Sequence, residues 1–285
     1  VIFGMEQNLG SNAYDFADGK VYKEKITKWI AAVKQKFPEV ITVVDASPVY
    51  QNKTRGLQWN EQLKGIGGDE ARLYLWDKDY TAWLPDQNAN LTKMNETFTT
   101  ILPGWFDAFK EKFPGKNVSV WQWGLKPKTD LYNTMAACIY IGKFYKFMID
   151  YNKAHENFIG YASFMSLKSL NRGDGSILNH YYALQACGML FKGNKKLVDL
   201  GIDGTTGLSG VACMENGKTT LLLINESGNE INFPAVSVDG ISSSGKKYTI
   251  TQVVAPSLGS FDVKLETKTV ASISLKAYSV NVVEF

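Results

Sequence analysis

Short apolar runs alternate with stretches of helical periodicity over the first two thirds of the chain. The apolar runs cover residues 1–4, 41–45, 71–76, 118–121 and 158–164. Apolar side chains recur at helical spacing over residues 20–37, 95–113, 129–152 and 177–191. Because strands that alternate with helices are typical of βαβ units, this pattern predicts a parallel sheet covered by helices.

The pattern changes after about residue 204. Short apolar runs now follow one another without helical stretches between them, and Gly, Ser and Asn separate them, over residues 221–224, 248–254, 261–265, 270–275 and 278–283. Such spacing favours an antiparallel β-sandwich. A segment rich in Gly and Thr, residues 201–210, marks the junction. We therefore expect an α/β domain over residues 1–200 and a β-sandwich domain over residues 205–285.

Composition excludes several classes of protein. With 45% hydrophobic and 21% charged residues, the chain has the makeup of a folded protein, not a disordered one. A net charge of +3, without a dense basic run, argues against a nucleic-acid partner. No apolar run reaches the roughly 18 residues that a transmembrane helix needs. The three Cys and two His show no metal-ligand spacing, so we expect no metal and no cofactor.

The aromatic content of 13% is high, and several aromatic residues lie where predicted strands end. In parallel βα folds, functional residues cluster at the carboxyl ends of strands. Tryptophan and tyrosine at such ends suit stacking on sugar rings, because they offer rigid apolar area with a polar edge. The candidates for binding are Trp76, Asp77, Tyr80, Trp121, Trp123 and His180, the last at the start of a predicted helix.

Three segments together carry a family resemblance. They are GMEQN at residues 4–8, VSVWQWGLK at residues 118–126 and AYSV at residues 277–280. Their order and spacing resemble the clan A glycoside hydrolases, in particular the arabinofuranosidase and agarase types, which join a (β/α)8 barrel to a C-terminal sandwich. The resemblance implies that the first domain is a partial barrel holding strands four to eight. It also implies a carbohydrate ligand and an extracellular, periplasmic or cell-surface location.

Carried over position by position, the resemblance gives Glu6 the place of the general acid/base and Gln122 the place of the nucleophile. Retaining glycosidases hold two carboxyl groups about 5–5.5 Å apart, and one of them attacks the anomeric carbon. Gln122 carries an amide and cannot supply that charge. Met5 departs from the family as well, since an asparagine that binds the sugar 2-hydroxyl stands there in relatives.

The sequence leaves several interpretations open. Gln122 is either a natural loss of catalysis, which would make the chain a pseudoenzyme, or a laboratory replacement of glutamate that traps a bound sugar. Met5 favours the natural loss, because an experimenter trapping substrate would leave the asparagine alone. A different class of function is a scaffold for interactions at a cell surface. A further alternative is an active hydrolase whose nucleophile is Asp77 or Asp79.

The length of the chain bears on the predicted barrel. A complete (β/α)8 barrel takes about 250 residues, whereas about 200 precede the sandwich here. Five parallel strands cannot close into a barrel, and both edges of their sheet stay open. We therefore expect the chain to be a fragment of the fold, with strands one to three supplied by a separate or cleaved N-terminal chain that packs against residues 1–4 and 158–164.

Overall fold

A computed structural model describes residues 1–3, 16, 18–47, 54–77, 86–125, 132–164, 174–202 and 207–285. Within these residues, no helix combines the length and the apolar character needed to cross a membrane. Contacts divide the chain into two compact units. Unit 1 comprises Val1–Asp77, Glu96–Gly124 and Tyr151–Met165, and unit 2 comprises the segments Lys78–Asn95, Leu125–Asp150 and Ser166–Phe285. The domain boundary expected near residue 200 stays a prediction.

The five predicted strands of the first part are present and form one sheet. They are β1 (Ile2–Phe3), β2 (Val43–Asp45), β3 (Glu70–Asp77), β4 (Asn117–Leu125) and β5 (Ile159–Phe164). The strands lie side by side in chain order. The pairs β1–β2, β2–β3 and β4–β5 are parallel. The expected parallel βα architecture is therefore confirmed.

The described residues contain six α-helices in addition to the sheet. They are α1 (Gly19–Lys36), α2 (Thr54–Gln62), α3 (Gln87–Glu96), α4 (Leu102–Lys112), α5 (Met135–Ala154) and α6 (His180–Gly188). A π-helical segment, Thr97–Ile101, joins α3 to α4, and a 3-10 turn, Met189–Phe191, follows α6. The helix predicted over residues 95–113 thus starts earlier and contains a π segment, and α2 is an element that the periodicity did not predict.

Helix α1 illustrates how the sequence sets its own boundaries. The side chain of Asp18 accepts hydrogen bonds from the backbone N–H groups of Lys20 and Val21, at 2.9 and 3.0 Å, and so caps the first turn. Tyr22, Ile26 and Ile30 follow at intervals of four residues and are buried. The helix therefore presents one apolar stripe to the core of unit 1.

The last part of the chain consists of strands, as expected. In order these are β6 (Lys196–Val198), β7 (Leu200–Gly201), β8 (Leu208–Glu215), β9 (Lys218–Asn225), β10 (Ile231–Phe233), β11 (Ser237–Val238), β12 (Ile241–Ser242), β13 (Tyr248–Val254), β14 (Lys264–Val270), β15 (Ile273–Leu275) and β16 (Ser279–Glu284). The main sheet has the order β14-β13-β16-β9-β8-β6 and is antiparallel. Two small antiparallel sheets, β12-β11-β7 and β10-β15, accompany it.

The core between these sheets is formed by buried apolar side chains. Leu221, Leu223, Ile250 and Val283 from the main sheet are buried together with Val236, Val238, Ile273 and Leu275. Helix α6 packs against β13 and β16 of the main sheet. A β-sandwich following a parallel βα part is therefore the observed fold.

Candidate functional site

A buried ion pair links β2 and β3 within unit 1. Asp45 and Arg72 lie opposite each other in the strand register. The guanidinium group of Arg72 donates to Oδ1 of Asp45 from Nε at 3.1 Å and from Nη2 at 2.6 Å. The two side chains are 3% and 0% exposed, so both charges are removed from water. Such a pair needs close geometry to offset the loss of hydration.

Two neighbours hold this pair in place. The hydroxyl of Tyr22 accepts a hydrogen bond from the backbone N–H of Asp45 at 2.8 Å and donates to the carbonyl of Phe3. Burial raises the pKa of Tyr22, so the hydroxyl stays protonated and remains a donor. On the other side, the indole of Trp59 in α2 donates to the carbonyl of Asp45 at 2.9 Å. The end of β2 is thereby fixed from both flanking helices.

The end of β4 contains a β-bulge centred on Gln122. Trp121 pairs with Ser163 and Trp123 with Phe164, so Gln122 is an extra residue that has no partner position on β5. Its φ is 60°, in the left-handed region that side chains other than glycine rarely adopt. A bulge redirects the side chains of its strand, and backbone strain of this kind clusters at functional sites. The bulge and the left-handed φ therefore coincide at Gln122.

An aromatic pair lies beside this bulge. The rings of Trp121 and Tyr161 are 5.3 Å apart between centroids and inclined by 40°. Tyr161 on β5 is 48% exposed, and Trp121 is half-buried. The guanidinium group of Arg72 lies 5.8 Å from the centre of the Trp121 ring, within the range of a cation–π contact. The pair thus offers apolar ring area, and the Asp45–Arg72 ion pair lies against the Trp121 ring.

Trp123 occupies a different environment from Trp121. It is buried, and its ring packs edge-on against Phe164 at 4.9 Å between centroids. Gly124 follows with a φ of 142°, and a side-chain carbon there would lie 3.1 Å from the Phe164 ring. This packing holds the last residues of β4 against β5, so Trp123 stabilises the strand directly after the bulge. Its predicted contact with ligand is untested and stays a prediction.

The remaining predicted site residues divide into three groups. Met5, Glu6 and Tyr80 lie outside the described residues. The backbones of Trp76 and Asp77 end β3, but their side chains lie outside the described part of the structure. His180 begins α6 in unit 2. Among the described residues, Trp121, Gln122 and Trp123 follow one another at the end of β4, and the roles of all nine residues stay predictions.

His180 is buried at only 2% exposure. Its ring makes an edge contact with Tyr132 at 4.3 Å between centroids. Burial lowers the pKa of His180 to about 4, which keeps the ring neutral at pH 7. A neutral, enclosed imidazole of this kind can donate or accept one hydrogen bond at each nitrogen, but it carries no charge toward a ligand.

Tyr161 and Arg72 are residues that sequence reasoning missed. Tyr161 belongs to an apolar run that reads as a buried strand, where an aromatic residue indicates core packing. Arg72 also lies inside a run that reads as a strand. Neither position carried a sequence signal for a site, because their exposure and pairing depend on neighbouring strands.

Metal-ligating and nucleophilic side chains are sparse in the described ranges. Those ranges contain no cluster of three or more His, Cys, Asp or Glu that could hold a metal ion. Cys138, Cys187 and Cys213 are free and buried. Burial raises the pKa of Cys138 and of Cys187, so both remain thiols rather than reactive thiolates.

Comparison with solved structures gives long alignments at low identity. An arabinofuranosidase from Thermotoga maritima in complex with arabinose superposes with a TM-score of 0.69 at 14% identity, over 100% of this chain and 65% of that one. A family 51 arabinofuranosidase from Bifidobacterium longum gives 0.69 at 13% identity, over 100% and 66%. A GH86 protein in complex with neoagarooctaose gives 0.55 at 15% identity, over 95% and 48%.

The likeness at this identity concerns the fold. No protein-family model and no curated protein sequence matches the chain. The chain spans less than two thirds of the length of the arabinofuranosidases, although they cover all of it. The resemblance expected from the sequence is nevertheless confirmed for the architecture. This chain has the fold of the corresponding part of glycoside hydrolases of the arabinofuranosidase type, a partial βα barrel followed by a β-sandwich.

Proposed function

We propose that this protein is a glycoside-hydrolase-like protein that binds an oligosaccharide or polysaccharide at the carboxyl end of its parallel strands. The observation that carries the proposal is the bulge at the end of β4, which holds Gln122 at a φ of 60° beside the Trp121 and Tyr161 rings. Rigid aromatic area next to a polar amide suits a ring of hydroxyl groups with apolar faces.

Gln122 limits the chemistry that such a cleft performs. In a retaining mechanism the nucleophile must be ionised so that it attacks the anomeric carbon, while a protonated carboxyl group assists the leaving group. The amide of Gln122 has nearly the shape of a carboxylate and can donate and accept hydrogen bonds, but it is neutral. With Glu6 as the acid/base and Gln122 in the nucleophile position, the cleft would bind sugar without cleaving it.

Other strand-end residues complete the proposed cleft. Met5 and Glu6 follow β1 in the chain, and Trp76 and Asp77 end β3. In a parallel sheet these ends lie on the same side as the end of β4. We also propose an extracellular, periplasmic or cell-surface location, because a polysaccharide ligand would be encountered outside the cytoplasm.

The open edges of the sheet support a further part of the proposal. Among the described residues, β1 pairs only with β2, and β5 pairs only with β4. Ile2 on β1, Val1 just before it and Tyr161 on β5 are exposed. We propose that strands from polypeptide outside the 285 residues pair with both edges. Isolation from the source under non-denaturing conditions should recover a longer chain or a tightly bound second one, and a 285-residue monomer would contradict this.

The test compares the protein with its Gln122→Glu variant. Calorimetry with arabino-, xylo- and neoagaro-oligosaccharides measures binding, and a panel of aryl glycosides measures cleavage. We expect the protein to bind at least one oligosaccharide and to cleave none of the aryl glycosides, and the variant to gain cleavage. The control is Gln35→Glu, which adds the same charge on the exposed face of α1.

Each result of this comparison bears on one part of the proposal. Cleavage by the unchanged protein would show that Gln122 does not occupy the nucleophile position. Absence of binding heat with all three ligands would remove the sugar-binding function. A variant that binds but stays inactive would point to a wider loss of catalysis, in line with Met5.

A further inference from the structure

The loop between β13 and β14 in unit 2 carries an exposed aromatic ring. Phe261 is 61% exposed, although the loop around it is well packed and Leu258 is buried. A single exposed apolar residue is common on protein surfaces and needs no explanation by itself. The meaning of Phe261 therefore depends on how it is held and on what lies next to it.

Hydrogen bonds fix the backbone at Phe261 and just before it. The first backbone N–H groups of α5 donate into the loop, Met135 to the carbonyl of Ser260 at 3.0 Å and Ala136 to that of Leu258 at 2.9 Å. The side chain of the buried Asn179 donates to the carbonyl of Phe261 itself at 2.9 Å. Because the backbone is held in this way, the ring loses little further freedom when a ligand stacks on it.

A groove of about 320 Å³ begins at the residue that follows Phe261 in the chain. Asp262, its neighbour in the chain, lines this sandwich groove together with Glu266, Lys264 and Lys276, and Val254 and Pro256 supply apolar surface. The two carboxylates and two ammonium groups of this lining balance in charge, Lys264 lies 3.4 Å from Asp262, and Lys276 also pairs with Glu230 outside the groove at 2.6 Å. They accept and donate hydrogen bonds, which suits a neutral ligand rich in hydroxyl groups, and the volume lies at the lower end of small-ligand sites.

A buried amide lies on the same face of the sheet. Gln252 is opposite Glu266, and Val254 is opposite Lys264, so these four side chains share one face. The Nε2 atom of Gln252 donates to the carbonyl of Ser274 at 2.9 Å and to Asn281 at 2.6 Å. Its Oε1 atom is buried and has no hydrogen-bond partner among the described residues. This acceptor is enclosed by protein, so it marks this part of the sheet as polar without itself lining the groove.

We propose that the sandwich groove is a non-catalytic binding site for a neutral oligosaccharide, with Phe261 as the stacking platform. Asp262 and Glu266 accept hydrogen bonds from sugar hydroxyl groups, and Lys264 donates. This site goes beyond the cleft at the strand ends, and it stands whether or not that cleft binds sugar. Its effect is to keep the protein attached to a polymer.

Affinity electrophoresis in native gels that contain soluble arabinan, xylan or agarose-derived oligosaccharide tests the site. We expect at least one of these to retard the protein, and Phe261→Ala to weaken the retardation by about two- to tenfold, the worth of one aromatic contact. Glu266→Gln, at an exposed position, should weaken it as well. The matched control is Phe191→Ala, because Phe191 is 55% exposed in the 3-10 turn after α6 and lies outside the groove.

The outcomes separate this proposal from the one above. Equal retardation of the protein and of both groove variants would overturn the site, as would an equal loss in Phe191→Ala or no retardation in any gel. Near-ultraviolet circular dichroism of each variant confirms that it is folded. Tyr161→Ala reports on the strand-end cleft: if it changes nothing while Phe261→Ala weakens binding, the sandwich groove stands and the cleft fails.

Discussion

Removing one partner of the buried pair Asp45–Arg72 should be among the most destabilising single changes in unit 1. Asp45→Asn keeps the size of the side chain but removes its charge, and Arg72 then stays buried at 3% exposure beside a neutral amide. Two donor contacts at 3.1 and 2.6 Å lose their charged acceptor. Breaking a buried pair from one side costs about 3–5 kcal/mol, and we expect a loss of free energy of unfolding in this range.

The assay is urea denaturation at pH 7 followed by tryptophan fluorescence. Trp121 lies 5.8 Å from the Arg72 guanidinium group, so the native spectrum of an Arg72→Met variant should also shift. The double variant Asp45→Leu with Arg72→Met removes both charges. It should be less destabilised than the sum of the single variants, because no charge stays buried alone.

A matched exposed pair provides the control. Lys28 and Glu24 on α1 are 3.5 Å apart, and each side chain is 74% exposed. Removing the carboxylate of Glu24 should leave the midpoint of urea denaturation unchanged within error, because water already solvates both charged groups. If Asp45→Asn loses no more than the Glu24 variant, the pair does not stabilise the sheet and the argument from burial is wrong.

Three further predictions concern single residues. Burial lowers the pKa of His180 to about 4 in the folded state, whereas the pKa in the unfolded state is near 6.5. The unfolded state therefore takes up the proton first as pH falls, so the free energy of unfolding decreases between pH 6.5 and pH 4. From pH 7 to pH 5 the free energy of unfolding should fall by about 2 kcal/mol, as measured by urea denaturation at both pH values. This decrease should vanish in the His180→Phe variant, and an unchanged pH dependence in that variant would contradict the prediction. Hydrogen bonds from Lys276 and Ser274 hold the pKa of Glu230 at about 2, so Lys276→Met should raise that pKa toward its ordinary value in an NMR titration, whereas a pKa that stays put would exclude the contact. Glycine adopts a left-handed φ without steric cost, so Gln122→Gly should raise the thermal midpoint and stabilise the protein by about 1 kcal/mol. The same variant should bind sugar more weakly in calorimetry, and a lower thermal midpoint would contradict the argument that Gln122 is strained.

The periodicity of the sequence predicted the parallel strands and the antiparallel part well. Those elements carry strong patterns where strands such as β2 and β9 are buried along nearly their whole length. Helix α2 was missed since Thr54–Gln62 has few apolar residues, and it docks through particular contacts such as the indole of Trp59 on Asp45. A single tertiary hydrogen bond of this kind leaves no periodic trace in the sequence.

The candidate site was predictable only in part, for a related reason. The position of Gln122 at a strand end followed from the sequence, but its bulge depends on how Trp121 and Trp123 pair with β5. The roles of Arg72 and Tyr161 depend on contacts with neighbouring strands, which the sequence does not show. Asp45 on β2 neutralises the charge of Arg72, and Trp121 on β4 lies beside the ring of Tyr161. Local sequence does not specify pairing across strands.

The bonds from the start of α5 into the loop before β14 have a consequence for the order of folding. The N–H groups of Met135 and Ala136 find their acceptors at Ser260 and Leu258, more than 120 positions later in the chain. This turn of the helix is therefore completed only after the sandwich strands have been synthesised and assembled. Deuterium uptake at these two amides should report the opening of the sandwich loop, and a chain ending before β13 should fray at the start of α5.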